Sequence, residues 1–357
     1  MKIGNKQIGL NHPPYIIAEI GVNHDGEVSR ALELTDAAAQ AGADAIKLQF
    51  FETDRLMSKA AKLAAYQKNA GETDPIEMLR RLELSIDEMA LVVERAHSKG
   101  IHAIVTVFST ELVPIAETLP WDAYKIASPD IINKPLLEAL MHTGKPMIVS
   151  TGASDENEIR SARKWLNGAL PNLAFLHCIS CYPTANHDAQ VGMCRGVMQY
   201  TNPCSVGYSD HTTHTATGKL AMGAGARILE KHFTDDRVRK GPDHKASLEP
   251  AELNRYIHRA QSDEDVSKNE LGEQLWNQMW GEVHKRVLDC EQDVRLVARQ
   301  SITSTQDIPP GTTLTQDHLT IKRPGTGIPP YNLHQILGSK TKKQIQADTP
   351  ITQSDLE

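Results

Sequence analysis

The sequence predicts an α/β fold, a (β/α)8 TIM barrel followed by a small β-rich domain, and three observations carry that expectation. Short apolar runs alternate with stretches of helical periodicity through eight units, over roughly 230 residues, close to the usual size of such a barrel. Polar side chains recur at the C-terminal ends of the predicted strands, the end that carries chemistry in barrel enzymes. From about residue 295 the pattern changes to short β-like pieces separated by Pro- and Gly-rich turns. A doubly wound open sheet competes with the barrel, but eight successive units favour closure.

In order, the first strand signal is 15–20, ended by Gly21. Ser29 is expected to cap a helix that buries Ala31, Leu34, Ala38 and Ala41. The second strand follows Gly42 at 44–49. A long excursion over 50–84, with the polar core KNAGETD at 68–74, reads as a surface loop over the rim. Ser85 caps the next helix, which Gly100 stops. Further strands are predicted at 102–106, 123–126, 146–150, 174–178, 205–207 and 227–231. Helices are predicted near 111–118, 135–142, 155–166, 191–200 and 213–223, then at 250–260 and 270–280 around a charged segment, 262–269. Turns at Pro309-Pro310-Gly311, Pro324-Gly325-Thr326-Gly327 and Pro329-Pro330 punctuate the last part. The expected organisation is a barrel at 1–260, a linker at 261–294 and a small domain at 295–357.

A formal net charge of −7 argues against a general nucleic-acid binder. No apolar run approaches the roughly 20 residues of a membrane span, and the N-terminal residues lack a signal-peptide core. Five cysteines, an odd number in a long chain, favour a reducing cytoplasm.

The polar strand ends are Glu19, Lys47 with Gln49, Thr106, Lys125 with Ser128, Ser150, His177 with Ser180, Ser209 with His211, and Glu230 with His232. Two lysines in one barrel mouth repel unless an anion lies between them. With the hydroxyls of Thr106, Ser128, Ser150 and Ser209, Lys47 and Lys125 suit a phosphorylated carboxylate; each lysine alone reads equally well as a surface residue. His211 and His232 end successive strands and read either as ligands of a divalent metal or as hydrogen-bonded core histidines. Glu19 suits hydroxyl binding or proton transfer. Asp243 and His244 suit polar substrate groups or ordinary loop polarity. Cys178-Ile179-Ser180-Cys181 has C-x-x-C spacing but no second ligand pair, so packing is the favoured reading. Gly325-Thr326-Gly327 lacks the strand and helix of a dinucleotide site.

Together these motifs resemble the N-acetylneuraminate (sialic acid) synthase family, which includes legionaminic and pseudaminic acid synthases. The stretches that carry the resemblance are IIAEIGVNHDG at 16–26, DAIKLQ at 44–49, YQKNAG at 66–71, MLRRLELS at 78–85, YKIAS at 124–128, VSTG at 149–152, LHCISCYPT at 176–184, GYSDHT at 207–212, LEKHFTD at 229–235 and GPDHKASLEP at 241–250. DIPPG at 307–311 and IKRPGTGIPP at 321–330 resemble the family's antifreeze-like (SAF) domain.

The resemblance implies condensation of phosphoenolpyruvate with an N-acetylmannosamine-type aldose, giving a nine-carbon 2-keto sugar acid and phosphate with a divalent metal, Mn²⁺ or Mg²⁺. By motif, it assigns the metal to His211 and His232. It assigns phosphoenolpyruvate to Lys47, Thr106, Lys125, Ser128, Ser150 and Ser209, and the sugar to Glu19, Tyr182 and Asp243. Gln49 and Ser180 complete the substrate set, with Ser180 standing where some members have a phosphate-contacting asparagine. Proton transfer falls to Glu19, with Glu230 as the alternative near the metal and its water. The resemblance further implies a homodimer in which Arg323 of the small domain completes the partner's site, against its plainer reading as a surface arginine beside a turn. Gln49-Phe50-Phe51 replaces a more usual Gln-Thr-Phe, and Gln300 replaces a common basic residue. The competing functions are another metal-dependent barrel aldolase or lyase with a different keto acid donor, and a non-catalytic or ice-interacting protein suggested only by the small domain. YQKNAG and MLRRLELS favour the neuraminate and legionaminate branches.

Overall fold

In the computed structural model, which describes residues 1–262 and 271–357, eight parallel strands close into a barrel. They are β1 (Tyr15–Glu19), β2 (Ala45–Phe50), β3 (His102–Val107), β4 (Ala123–Ile126), β5 (Met147–Ser150), β6 (Leu173–Cys178), β7 (Ser205–Asp210) and β8 (Ile228–His232). β8 pairs with β1 to complete the ring, with His232 opposite Glu19. The predicted strands are all present; the seventh runs on to Asp210, which places Ser209 inside a strand rather than in a loop.

Side chains alternate across each strand, and the alternation sorts them into two cores. Ile16, Ala18, Ile46, Leu48, Val105, Val149, Phe175 and Leu229 face outward against the helices in the main core. Ile17, Ala45, Ile104, Ala123, Ile148, Leu176 and Ile228 face inward and form an apolar floor. Ile3 and Ile8, from an N-terminal two-strand ribbon, close that floor from below. Gly207 also faces inward, and a Cβ there would lie 2.4 Å from the Leu176 side chain, so the missing methyl is what admits Leu176.

The connecting helices follow local signals. The helix Val28–Ala41 is capped two residues earlier than expected: Glu27 occupies the N-cap position and Ser29 falls in the first turn. Gly42 ends it in the left-handed conformation, φ 97°. Ser85 and Asp155 cap Ile86–Ser98 and Glu156–Trp165 through reciprocal bonds with Glu88 and Glu158, each contributing about 1 kcal/mol. The seventh helix spans Thr217–Gly223, later than expected, because residues 212–216 turn on side-chain bonds from Thr212 and His214. The excursion after β2 folds into three short helices, Thr53–Leu56, Ala65–Asn69 and Pro75–Arg81. Its apolar residues Leu56, Met78, Leu79 and Leu82 pack with Val22, Phe51 and Phe108 above the rim.

After the helix Pro250–Gln261, residues 263–270 lie outside the described residues, and with them most of the expected charged segment and the first residue of the expected helix at 270–280. From Glu273–Trp280 onward the chain lies against the barrel. Arg295 and Arg299 both bind Glu158, and burial of that carboxylate is outweighed by the two guanidiniums, which pull it down to about 2. The small domain has its own core, including Ile302, Ile308, Leu314, Ile328 and Ile351, around β9 (Ser301–Ser304) and β10 (Leu319–Lys322).

Candidate active site

One residue pair further along each inward face, the floor gives way to polar groups. Ile17 is followed by Glu19, Ala45 by Lys47, Ile104 by Thr106, Ala123 by Lys125, Ile148 by Ser150, Leu176 by Cys178 and Ile228 by Glu230. These side chains line a cavity of about 880 Å³, counting its open mouth. All fifteen sequence-predicted site residues line it: Glu19, Lys47, Gln49, Thr106, Lys125, Ser128, Ser150, Ser180, Tyr182, Ser209, His211, Glu230, His232, Asp243 and Arg323.

The cavity floor is a chain of alternating charge. Lys47 Nζ contacts Glu19 Oε2 directly and lies 3.4 Å from Glu230 Oε1. Lys125 Nζ lies 3.5 Å from the same Glu230 oxygen. Glu19 also accepts from the Gly21 amide at 2.8 Å, and Glu230 from Ser209 Oγ at 2.9 Å. Environment separates the two carboxyls. Burial pushes Glu19 up to about 7 against the pull of Lys47, with Glu230 adding to the rise. Glu230 is equally buried, but Lys125 and Lys47 overcome that and hold it at about 2. Burial pulls Lys125 down to about 8, partly offset by Glu230. Thus Glu19 exchanges a proton near neutrality while Glu230 stays an anion.

His211 and His232 lie side by side, ring centroids 5.3 Å apart. His211 Nδ1 donates to the Ile179 carbonyl at 2.7 Å, which leaves Nε2 with its lone pair free; a backbone carbonyl in this role is the usual orienting partner of a metal-binding imidazole. Burial, then the neighbouring His211 and Lys47, hold His232 well below its ordinary range, so it stays neutral. Its Nδ1 is buried without a hydrogen-bond partner and 3.6 Å from Asp243 Oδ2. At His211, burial is outweighed by the Cys178 sulfur, the Ile179 carbonyl and Glu230, which raise its proton affinity. A divalent metal at Nε2 would compete with that proton, and with the bare Nδ1 of His232 the pair fits such an ion. No group of three or more His, Cys, Asp or Glu suited to a metal occurs among the described residues, so the other positions would fall to water and substrate. Thr106 Oγ1, Ser150 Oγ and Glu230 Oε2 are likewise buried and unpartnered, which marks the cavity as built for a polar ligand.

At the mouth, the small domain enters through a parallel bridge between Met57 and Arg323. Ser58 Oγ donates to the Arg323 carbonyl at 2.7 Å. The guanidinium lies over the Phe108 ring at 5.4 Å, and burial lowers its affinity for its proton. Asp130, raised to about 7 by burial against the charge of Arg323, accepts from Gln300 at 2.8 Å. Within this one chain Arg323 lines the cavity, and Arg295 and Arg299 clamp the connecting segment that leads to it onto Glu158.

Other residues fall differently from the sequence reading. His177 faces outward, stacked on Tyr208 and bonded to the Ala189 carbonyl at 3.2 Å. His244 is buried against Thr234 and Asp25, so it shapes a loop rather than the cavity. Cys178 faces the cavity, its sulfur 3.8 Å from His211 Nδ1, instead of merely packing. Tyr66, Gln67, Met78, Phe108 and Val294 line the outer cavity unforeseen. The YQKNAG and MLRRLELS stretches held the first three in view, but no local pattern turns them inward.

The comparisons with known proteins agree with this geometry. The family model described as NeuB family matches residues 34–270, and the SAF domain model matches 299–357. The N,N'-diacetyllegionaminic acid synthase of Legionella pneumophila is 35% identical, over 99% of this chain and 98% of its own. The N-acetylneuraminate-9-phosphate synthase of Mus musculus is 30% identical, over 98% and 94%. The crystal structure of the spore coat polysaccharide biosynthesis protein SpsE of Bacillus subtilis superposes with a TM-score of 0.83 at 27% identity, over 100% of this chain and 99% of that one. With its barrel and its small domain both matched in order, the chain belongs to the NeuB family.

Proposed function

We propose that the protein is a nonulosonic acid synthase, which joins phosphoenolpyruvate to an N-acetylated hexose and releases phosphate. The observation that carries this reading is the joint placement, in one cavity, of the Glu19–Lys47–Glu230–Lys125 charge chain and the two bare imidazoles. The named relatives are synthases, so a barrel aldolase with another keto acid donor is not favoured.

Lys47, Lys125 and the hydroxyls of Thr106, Ser128, Ser150 and Ser209 hold the anionic donor and stabilise charge as the phosphate departs. Gln49 and Ser180 border it. Tyr182, Asp243 and Arg323 bind the sugar, with Arg323 facing its N-acetyl group. A divalent metal, Mn²⁺ or Mg²⁺, held by His211 and His232, would supply Lewis-acid polarisation of the aldehyde. C3 of the donor forms the new bond to the aldehyde carbon. Positive charge appears at C2, where water adds. Glu19, ionised, takes one proton from that water and returns it to the former aldehyde oxygen, which becomes a hydroxyl. Cleavage of the C2–O bond then releases phosphate, which carries off the C2 hydroxyl's proton, and leaves the 2-keto group. Glu230 remains an anion that orients both lysines and faces the charge at C2.

Five unpaired cysteines support a reducing, cytoplasmic setting. A homodimer is part of the reading on the family resemblance. Exchange of the small domains within that dimer, so that Arg323 completes the partner's site, belongs to the same reading.

The test is phosphate release with product mass analysis over N-acetylmannosamine, its 6-phosphate and a 2,4-diacetamido-6-deoxyhexose. One of these should release phosphate from phosphoenolpyruvate stoichiometrically with a product heavier by the pyruvate unit. Pyruvate serving equally well as donor would sink the synthase reading. Arg323→Ala should raise KM for the sugar while leaving that for phosphoenolpyruvate unchanged.

The proton affinities also set a pH profile. Glu19 works ionised, so kcat/KM should rise as pH passes about 7. Lys125 works protonated, so the rate should fall again above about 8. Lys125→Arg, whose charge does not titrate in this range, should lose the alkaline limb. A profile flat between pH 6 and about 9 would refute this assignment of the two groups.

A further inference from the structure

We infer that Glu291, carried by the segment between barrel and small domain, is a positioning residue for the phosphoenolpyruvate end of the cavity; this rests on the reading of that cavity given above. Glu291 is fully buried. One of its oxygens, Oε1, accepts from two backbone amides that belong to different barrel loops: Ala153 N at 2.6 Å, after β5, and Ser180 N at 2.8 Å, after β6. The other oxygen accepts from Leu288 N at 3.0 Å. Lys285, also buried, lies 3.9 Å from that oxygen and donates to the Cys178 carbonyl at 3.0 Å. A single carboxylate oxygen therefore pins together two loops, one that follows Ser150 at the end of β5 and one that carries Ser180.

The pinned loops meet at Gly152. A Cβ on Gly152 would lie 2.2 Å from Ser180 Oγ, 2.8 Å from Ser128 Oγ and 3.0 Å from Cys178 Sγ. The Gly152 amide already donates to Ser128 Oγ at 2.9 Å. The next residue, Ala153, is left-handed at φ 50°, a conformation that a non-glycine residue keeps only under constraint. The constraint comes from outside the barrel: Glu291 takes its N–H, while Arg295 and Arg299 take its carbonyl. Without Glu291, three buried amides lose their acceptor, two of them in the barrel loops, and the hydroxyls of Ser128 and Ser180 lose their common centre.

An acceptor at this position is what matters, rather than a charge opposite Lys285, and the two roles separate experimentally. Glu291→Gln keeps a carbonyl oxygen in place for the two loop amides, removes the charge and gives up the acceptor of the Leu288 amide. Glu291→Asp keeps the charge and withdraws the oxygen by one methylene. Phosphoenolpyruvate binding to the full chain is measured by calorimetry, with KM for both substrates from phosphate release. The Asp variant should weaken phosphoenolpyruvate binding and raise its KM about tenfold or more, the usual scale for an outer-shell partner, with the sugar KM within about twofold. The Gln variant should stay within about threefold of wild type throughout. Asp tolerated and Gln damaging would assign Glu291 to the ion pair alone and overturn the inference. So would an equal rise in both KM values. Wild-type protein that binds no phosphoenolpyruvate would overturn the cavity reading and this inference together, whereas wild-type and Asp proteins binding it equally would overturn the positioning role alone.

Discussion

Lys47→Met should lower phosphate release by about a thousandfold or more, the upper range for loss of one preorganised charge donor. Lys47 is the shared cation of the site: it contacts Glu19 and lies 3.4 Å from Glu230. Methionine matches its length but leaves two buried carboxyls with Lys125 as their nearest cation. Glu19, already raised to about 7, would then hold its proton at every working pH and cease to act as a base. That same protonation limits the damage to the fold, since a neutral carboxyl is far cheaper to bury than an unpaired anion. The variant should therefore give a circular dichroism spectrum like that of wild type while turnover is lost. Retention of a tenth of wild-type activity would show that Lys47 is not central.

The second large effect belongs to the imidazoles. His211→Ala and His232→Ala should each lower turnover by about a thousandfold, equivalent to the several kcal/mol a Lewis acid contributes. Each should also abolish Mn²⁺ binding followed by electron paramagnetic resonance, a readout independent of turnover. The rings sit on neighbouring strand ends, and His211 is oriented by the Ile179 carbonyl, so removing either leaves the other correctly placed but alone. Ile179→Pro would confound the test by moving the carbonyl, so substitution at the rings is the cleaner choice. Undiminished Mn²⁺ binding in both variants, or turnover unchanged by chelation, would refute the assignment.

The barrel and its polar layer were legible because both follow from a period of two. Once Ile17, Ala45, Ile104 and Ile228 are read as inward, Glu19, Lys47, Thr106 and Glu230 must share their face. His177 shows the limit of a looser rule: it stands at a strand end, yet its parity with Phe175 turns it outward. Positions fixed by distant contacts were not legible. Glu291 lies among Asp289, Cys290 and Gln292 and reads as ordinary exposed polarity; its partners are 138 and 111 residues away. Asp130 was passed over for the same reason, since Gln300, 170 residues on, explains its burial. Arg323 lines the cavity, but the clamp of Arg295 and Arg299 on Glu158 that holds the segment leading to it is announced by no spacing.

The apolar floor and the polar layer above it sit two residues apart on the same strands, and this has a consequence for how the barrel finds its alignment. A strand displaced by two residues would keep its inward parity, and much of its apolar packing would survive. Ile228 would then stand where Glu230 belongs, at little cost in buried hydrocarbon. What distinguishes the correct alignment from that near-twin is the set of charges: Lys47 would lose Glu19, or Lys125 would lose Glu230, and a buried ion without its partner is strongly unfavourable. The groups that do the chemistry thus also act as registration marks for assembly, and a variant that neutralises both partners of a pair would be expected to risk the alignment of the sheet as well as the reaction.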